Sequence, residues 1–183
     1  IYGPKGAGAL IIRESDRMQE TVQPIMMGGG QEFGFRSGTE NTPAIVGFGV
    51  AVALTEAMCA KERVRVADLR ERLWAGVRKE YPRATRLTPK DALPHILMVA
   101  IPGVVAEEFA MALDMRGVAV SQGSACKARS REPSETVRAC GYGARTLATT
   151  VRFSVGRPTT RQEIECVVRV IRAYRQQKGK IKI

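Results

Sequence analysis

Cys126 is followed at close spacing by three cations, Lys127, Arg129 and Arg131, and preceded by three small residues, Gly123, Ser124 and Ala125. Positive charge near a thiol favours the thiolate, which is the nucleophilic form. Residues too small to build a core place this cysteine on a loop, and Val118-Ala119-Val120 before it reads as the end of a strand. Pro133 beyond it suits the first turn of a helix. Two readings of these residues stand side by side: a poised nucleophile, or a free cysteine acting as a small hydrophobe.

Two further groups carry chemistry. Arg36-Ser37-Gly38-Thr39 follows three successive glycines, Gly28 to Gly30. Backbone amides, a hydroxyl and a guanidinium in one tight loop are what a phosphate needs, although a ligand-free surface loop has the same composition. In Val151-Arg152-Phe153-Ser154, Arg152 offers the planar fork that fits a carboxylate; taken alone it also reads as a surface arginine, as does Arg157 past Gly156. The opening Gly3-Pro4-Lys5-Gly6-Ala7-Gly8 is glycine-rich but is no Walker A loop. Ala9 and Leu10 stand where Lys and Ser/Thr would be required.

The elements that must position these groups follow from periodicity. Ala9-Leu10-Ile11-Ile12 has the pattern of a buried strand. From Pro43, with Thr42 as its N-cap, Ile45, Val46, Val50, Leu54 and Met58 share one helical face. A second helix is expected over about 61–80, with Val64, Ala67, Leu69, Leu73 and Val77 as its apolar positions, ending before Pro82. Beyond Pro89 strands alternate with helices: a strand over 95–101, a helix over 106–116 closed by Gly117, and the strand ending at Val120. A helix over 133–140 closed by Gly141, a strand over 149–155 and a helix over 160–175 complete the series. Trp74 and His95 are expected to be structural. Cys140 and Cys166 fall in helical patterns and are expected to be buried, whereas Cys59 fits either side.

The chain has 183 residues, enough for one domain or one and a fraction, with 44% hydrophobic and 26% charged residues, the proportions of a soluble globular protein. No uninterrupted apolar run approaches the length of a membrane span, and the N-terminus lacks the order of a signal peptide, so the expected compartment is the cytoplasm. Four scattered cysteines without a C-x-x-C pair and one histidine argue against a disulfide framework or a zinc site; no metal is expected. The net charge is +11, but acids interrupt the cations, as in Lys61-Glu62-Arg63 and Asp68-Leu69-Arg70-Glu71-Arg72, the pattern of a solvated helix face. Few aromatics accompany the cations, which disfavours nucleic acid and leaves an acidic protein partner as the better match.

Three ordered stretches carry a family resemblance. Gly123-Ser124-Ala125-Cys126 with Glu132-Pro133-Ser134 resembles the active-cysteine loop of cysteine desulfurases of the NifS/IscS type, fold-type I pyridoxal phosphate enzymes of the class-V aminotransferase family. Residues 1–14 with 28–41, and residues 151–160, resemble the same family in the same order. The resemblance implies an α/β fold: residues 1–55 would end the large cofactor-binding domain, and 56–183 would form the small C-terminal domain bearing the active cysteine. Met98 departs from it, standing where the family commonly has asparagine, and the residues after Cys126 are more basic than usual.

By that resemblance Cys126 would take sulfur from L-cysteine as a persulfide, releasing L-alanine, and Arg152 would bind the substrate carboxylate. Thr39 would contact the phosphate of a partner subunit's pyridoxal phosphate in a homodimer, with Arg36 and Gly38 supporting the loop. The Schiff-base lysine would immediately precede Ile1, and Lys5 is a separate lysine on the following turn. The chain is therefore expected to be the C-terminal half of such an enzyme, whether from a split gene with a separate N-terminal half, a truncated gene, proteolysis or partial expression, and to hand sulfur to an acceptor or scaffold protein for iron-sulfur cluster or other sulfur biosynthesis. The alternative is a non-catalytic persulfide relay or interaction module.

Overall fold

The computed structural model describes residues 1–13, 22–89, 91–122 and 135–180. Two compact units divide the chain, Ile1–Cys59 and Ala60–Ile183.

In the first unit, a 3-10 turn at Glu32–Gly34 precedes the start of a long helix, α1, Thr42–Glu80, which continues into the second unit. The cap of α1 falls one residue before the expected Thr42: the Asn41 side-chain oxygen accepts from the Ala44 amide at 3.2 Å. Two separate helices were expected here and one 39-residue helix is found. Ala57-Met58-Cys59-Ala60-Lys61-Glu62 at the expected break holds no glycine or proline, so nothing interrupts the ladder. The opening glycine-rich turn lies on this helix, with a Cβ at Gly47 falling 2.9 Å from the Pro4 ring and one at Gly3 falling 3.2 Å from Ala51 Cβ.

Little else of the first unit is covered. Among its described residues Ala44 and Ala51 are the buried apolar ones, while Ile45, Val46, Val50, Leu54 and Met58, the expected packing face, are all exposed. Ala9–Ile12 forms no strand, with Leu10 at 78% and Ile11 at 93% exposure. A strand needs a neighbour for its ladder, and among the described residues no segment pairs with it. The first part of α1 has a mean hydropathy of 1.7 over 18 residues, so by length and composition this helix is apolar enough to cross a membrane.

The second unit holds the core. Its sheet has the order β1-β2-β4-β3, from β1 Thr85–Arg86, β2 Ile96–Ala100, β3 Ser121–Gln122 and β4 Thr150–Ser154, every neighbouring pair antiparallel. Leu97, Val99, Val151 and Phe153 alternate inward along the central pair and are buried with Leu69, Leu73 and Val77 of α1. Helices α2, Ala106–Asp114, and α5, Arg161–Lys180, complete that core, and α3, Glu135–Ala139, and α4, Ala144–Leu147, precede β4. The helix at α4 carries no apolar period and was not expected. The strand expected at Val118–Val120 lies instead at Ser121–Gln122, because Val118 and Val120 pack on the core as an irregular run.

Local chemistry sets the ends of these helices. Gly117, at φ 77°, closes α2: its amide reaches Asp114 O at 2.8 Å and that of Val118 reaches Leu113 O at 3.0 Å. Gly141, at φ 84°, closes α3 in the same way. Thr160 and Glu163 form a reciprocal capping box at the start of α5, with the Thr160 amide reaching the Glu163 carboxylate at 2.7 Å. Those hydrogen bonds hold the Glu163 carboxyl below its usual range.

Phe109, fully buried, meets Tyr174 edge-on at 5.1 Å and Tyr81 at 6.5 Å. Burial pushes the Tyr81 hydroxyl up to about 12. Glu80 at the end of α1 pairs with Arg172 at 2.8 Å and Arg175 at 3.6 Å, fixing α1 beside α5. Arg70, expected on a solvated face, is buried: it donates to Leu93 O at 3.2 Å and to Glu71, which also binds Arg86. Trp74 is half-buried against the core, and His95 serves through its carbonyl, which accepts from Val155 at 2.9 Å. Cys59, Cys140 and Cys166 are all exposed. Cys166 misses the buried stripe of Ile164 and Ile171 because two positions along a helix turn roughly 200°, and Cys140 lies in the turn after α3.

The tightest helix contact in this unit is made by Gly76, where a Cβ would stand 2.3 Å from Val168 Cγ2 and 3.0 Å from Cγ1. Gly76→Ala is expected to destabilise the unit by about 1–3 kcal/mol, despite the ~1 kcal/mol helix-propensity gain of alanine. Gly179→Ala, with open space around it, should be neutral or slightly stabilising. Denaturant unfolding of the two variants checks this; equal stability would mean that α1 and α5 do not approach so closely.

Candidate active site

Arg152 occupies the centre of β4, paired across the sheet with Met98 of β2 on one side and Ser121 of β3 on the other. Val151 and Phe153 point into the core, so the period of two turns Arg152 to the opposite face. Its Nη2 donates to Ser121 Oγ at 3.2 Å. Its Nε is buried and finds no hydrogen-bond partner among the described residues. An orphaned buried donor costs about 1–3 kcal/mol, more when charged, and an incoming carboxylate oxygen would relieve it. The chemistry available here is the capture of a carboxylate.

The turn that follows β4 is held from α1. Arg65 donates to Thr159 O at 2.7 Å, Arg157 O at 2.8 Å and Gly156 O at 3.2 Å, and pairs with Glu62 at 2.9 Å. That hydrogen bond keeps the Glu62 carboxyl below its usual range. The Gly156 amide closes the turn on Thr159 Oγ1 at 2.9 Å. The sequence carries no local sign of this grip, because the carbonyls Arg65 binds lie more than 90 residues away. The side chain of Arg157 is exposed.

Arg36, Gly38 and Thr39 lie together in a loop of the first unit. Ser37 is buried and its hydroxyl donates to Gly29 O at 2.7 Å; the Gly38 amide reaches Gln31 Oε1 at 3.2 Å. Arg36 folds back to donate to Ser37 O. Gly38, at φ 112°, adopts a conformation that side-chain-bearing residues rarely take. Thr39 is exposed, and no hydrogen bond among the described residues engages its hydroxyl. The loop is thus braced from within, the Arg36 guanidinium included, and leaves the Thr39 hydroxyl exposed. Cys126, with Gly123 to Ala125, Lys127, Arg129, Arg131 and Glu132 to Ser134, lies outside the described residues. Among the described residues no group of His, Cys, Asp and Glu is arranged to hold a metal ion.

The family model for class-V aminotransferases matches residues 1–167. The chain belongs to the class-V aminotransferase family. Cysteine desulfurase IscS 1 of Archaeoglobus fulgidus is 38% identical over 93% of the chain, and cysteine desulfurase IscS of Shewanella oneidensis 41% identical over 93%. The chain spans 44% and 41% of those relatives, about two fifths of their length. A NifS-like protein from Rickettsia africae matches 82% of the chain with a TM-score of 0.71 and 29% identity, and the chain covers 39% of that structure. Another NifS-like protein matches 85% of the chain with a TM-score of 0.74 and 26% identity, again with 39% of that structure covered. The α/β fold expected of fold-type I desulfurases is therefore the one found, its sheet here wholly antiparallel.

In this class-V chain the internal bracing of the loop around Ser37 is directly testable. Ser37→Ala removes one hydrogen bond worth about 1 kcal/mol, which corresponds to roughly fivefold faster amide exchange by local opening. Hydrogen-exchange rates over residues 29–38 should rise by that factor and those of β4 should not; unchanged exchange would show that Ser37 does not brace the loop.

Proposed function

We propose that this chain carries the carboxylate-binding and sulfur-accepting part of a pyridoxal phosphate-dependent cysteine desulfurase, converting L-cysteine to L-alanine with sulfur retained on Cys126. The reading is carried by Arg152, whose buried Nε lacks a partner among the described residues on the outward face of β4, and it is supported by the desulfurase relatives.

The loop residues fit a supporting role toward the cofactor. Thr39 would offer its free hydroxyl to the phosphate, as the resemblance implies from across a homodimer, with Arg36 and Gly38 shaping the loop. The cofactor supplies an electron sink that loosens bonds in the bound amino acid. Arg152 would clamp the substrate carboxylate, which holds the side-chain sulfur in one place. The Cys126 thiolate would then attack that sulfur: the new S–S bond forms as the C–S bond breaks, its electron pair stays with the carbon skeleton, and protonation there leads to alanine. The cations after Cys126 favour its thiolate and suit an acidic sulfur acceptor. The exposed apolar face of α1 is read as protein-covered in the assembled enzyme, since contiguous apolar surface of this kind marks an interface.

Steady-state alanine formation in the assembled enzyme tests the assignment. Cys126→Ser should lower turnover roughly a thousandfold, and Arg152→Gln should raise KM for L-cysteine about a hundredfold. Unchanged turnover in Cys126→Ser would contradict the proposal. Uptake of sulfur by Cys126 from an external persulfide, without any alanine formation by the wild type, would support a relay instead.

A further inference from the structure

The guanidinium of Arg152 lies between two cross-strand neighbours, and only one of them carries an oxygen. Met98 offers a thioether, while Ser121 offers the hydroxyl that accepts from Nη2 at 3.2 Å. Arg152 is half-buried, Nε has no partner among the described residues, and a long side chain in that position retains several rotamers unless something holds it. Ser121 is itself half-buried and sits in β3, whose two rungs with β4, Ser121 to Arg152 and Gln122 to Val151, fix its place beside the arginine.

We infer that Ser121 is a positioning residue for substrate carboxylate recognition: by holding Nη2 it orients the Arg152 fork and leaves Nε–H as the donor that meets the carboxylate. This rests on the reading of Arg152 as the carboxylate-binding residue. The hydrogen bond is charge-assisted, and one of that kind in a half-buried setting corresponds to about a tenfold effect on binding. Ser121 makes no contact with the reacting sulfur in this role, so its loss weakens binding and leaves the chemical step intact. Met98 contributes packing on the other flank and no orientation.

The test compares Ser121→Ala, Ser121→Thr, Met98→Leu and Arg152→Gln in the assembled enzyme. Ser121→Ala should raise KM for L-cysteine about tenfold with kcat within roughly twofold. Ser121→Thr keeps the oxygen, and threonine suits a strand; it should restore KM to within about threefold. Met98→Leu should leave KM unchanged. Binding of L-alanine, which has the carboxylate and no thiol, should weaken in parallel with KM. As a readout independent of turnover, the Arg152 Nε–H resonance, assigned by its absence in Arg152→Gln, should shift in Ser121→Ala and return in Ser121→Thr. A normal KM and an unshifted resonance in Ser121→Ala, with KM raised in Arg152→Gln, overturns the role of Ser121 alone. A normal KM in Arg152→Gln as well overturns the assignment of Arg152, and the inference falls with it. Equal loss of KM and kcat in both Ser121 variants, with the resonance unmoved, would show Ser121 to be structural only.

Discussion

The pairing of β2 with β4 is the constraint on which the rest of the second unit depends. Five antiparallel residue pairs, from Ile96 with Ser154 to Ala100 with Thr150, lock the register. A slip of one residue would send Val151 and Phe153 out of the core and bring Arg152 into it. Burial of Leu97, Val99, Val151 and Phe153 therefore decides where the guanidinium points. Everything around the ladder guards it: Arg65 grips the turn after β4, Gly76 lets α5 close on α1, and Glu80 ties their ends through Arg172 and Arg175. The placement of Arg152 is the by-product of packing on the other side of the sheet.

What the sequence revealed of this arrangement was its local part. Gly117 and Gly141 announce helix ends because only a residue without Cβ takes positive φ there at little cost. The strand expected over 149–155 is β4, with Arg152 at its centre. Long-range partners left no such trace. Arg70 sits in a run of alternating charges that reads as solvated, yet it is buried against the carbonyl of Leu93. The expected second helix over about 61–80 proved to be the continuation of α1, since no helix-breaking residue stands between Met58 and Lys61. Arg36, Gly38 and Thr39 were legible as a loop, and the brace from Ser37 and Gln31 needed coordinates.

The two units differ in kind. The second buries large side chains such as Phe109, Leu113 and Ile171 completely. The first exposes Leu10, Ile11, Ile25, Met27 and the apolar side of α1, and among its described apolar residues only two alanines are buried. Apolar surface of that extent is stable only when something apolar covers it. The chain spans about two fifths of its curated relatives, and the part of the proposed activity assigned to these residues is carboxylate capture and sulfur acceptance.

The most direct measurement is the intact mass of this chain after the assembled enzyme, loaded with pyridoxal phosphate, meets one equivalent of L-cysteine. The account predicts a gain of one sulfur atom, mapped to Cys126 and removed by a reducing thiol, with one alanine released for each sulfur gained. Alanine formed with no sulfur on Cys126, or sulfur found only on Cys59, Cys140 or Cys166, would contradict it.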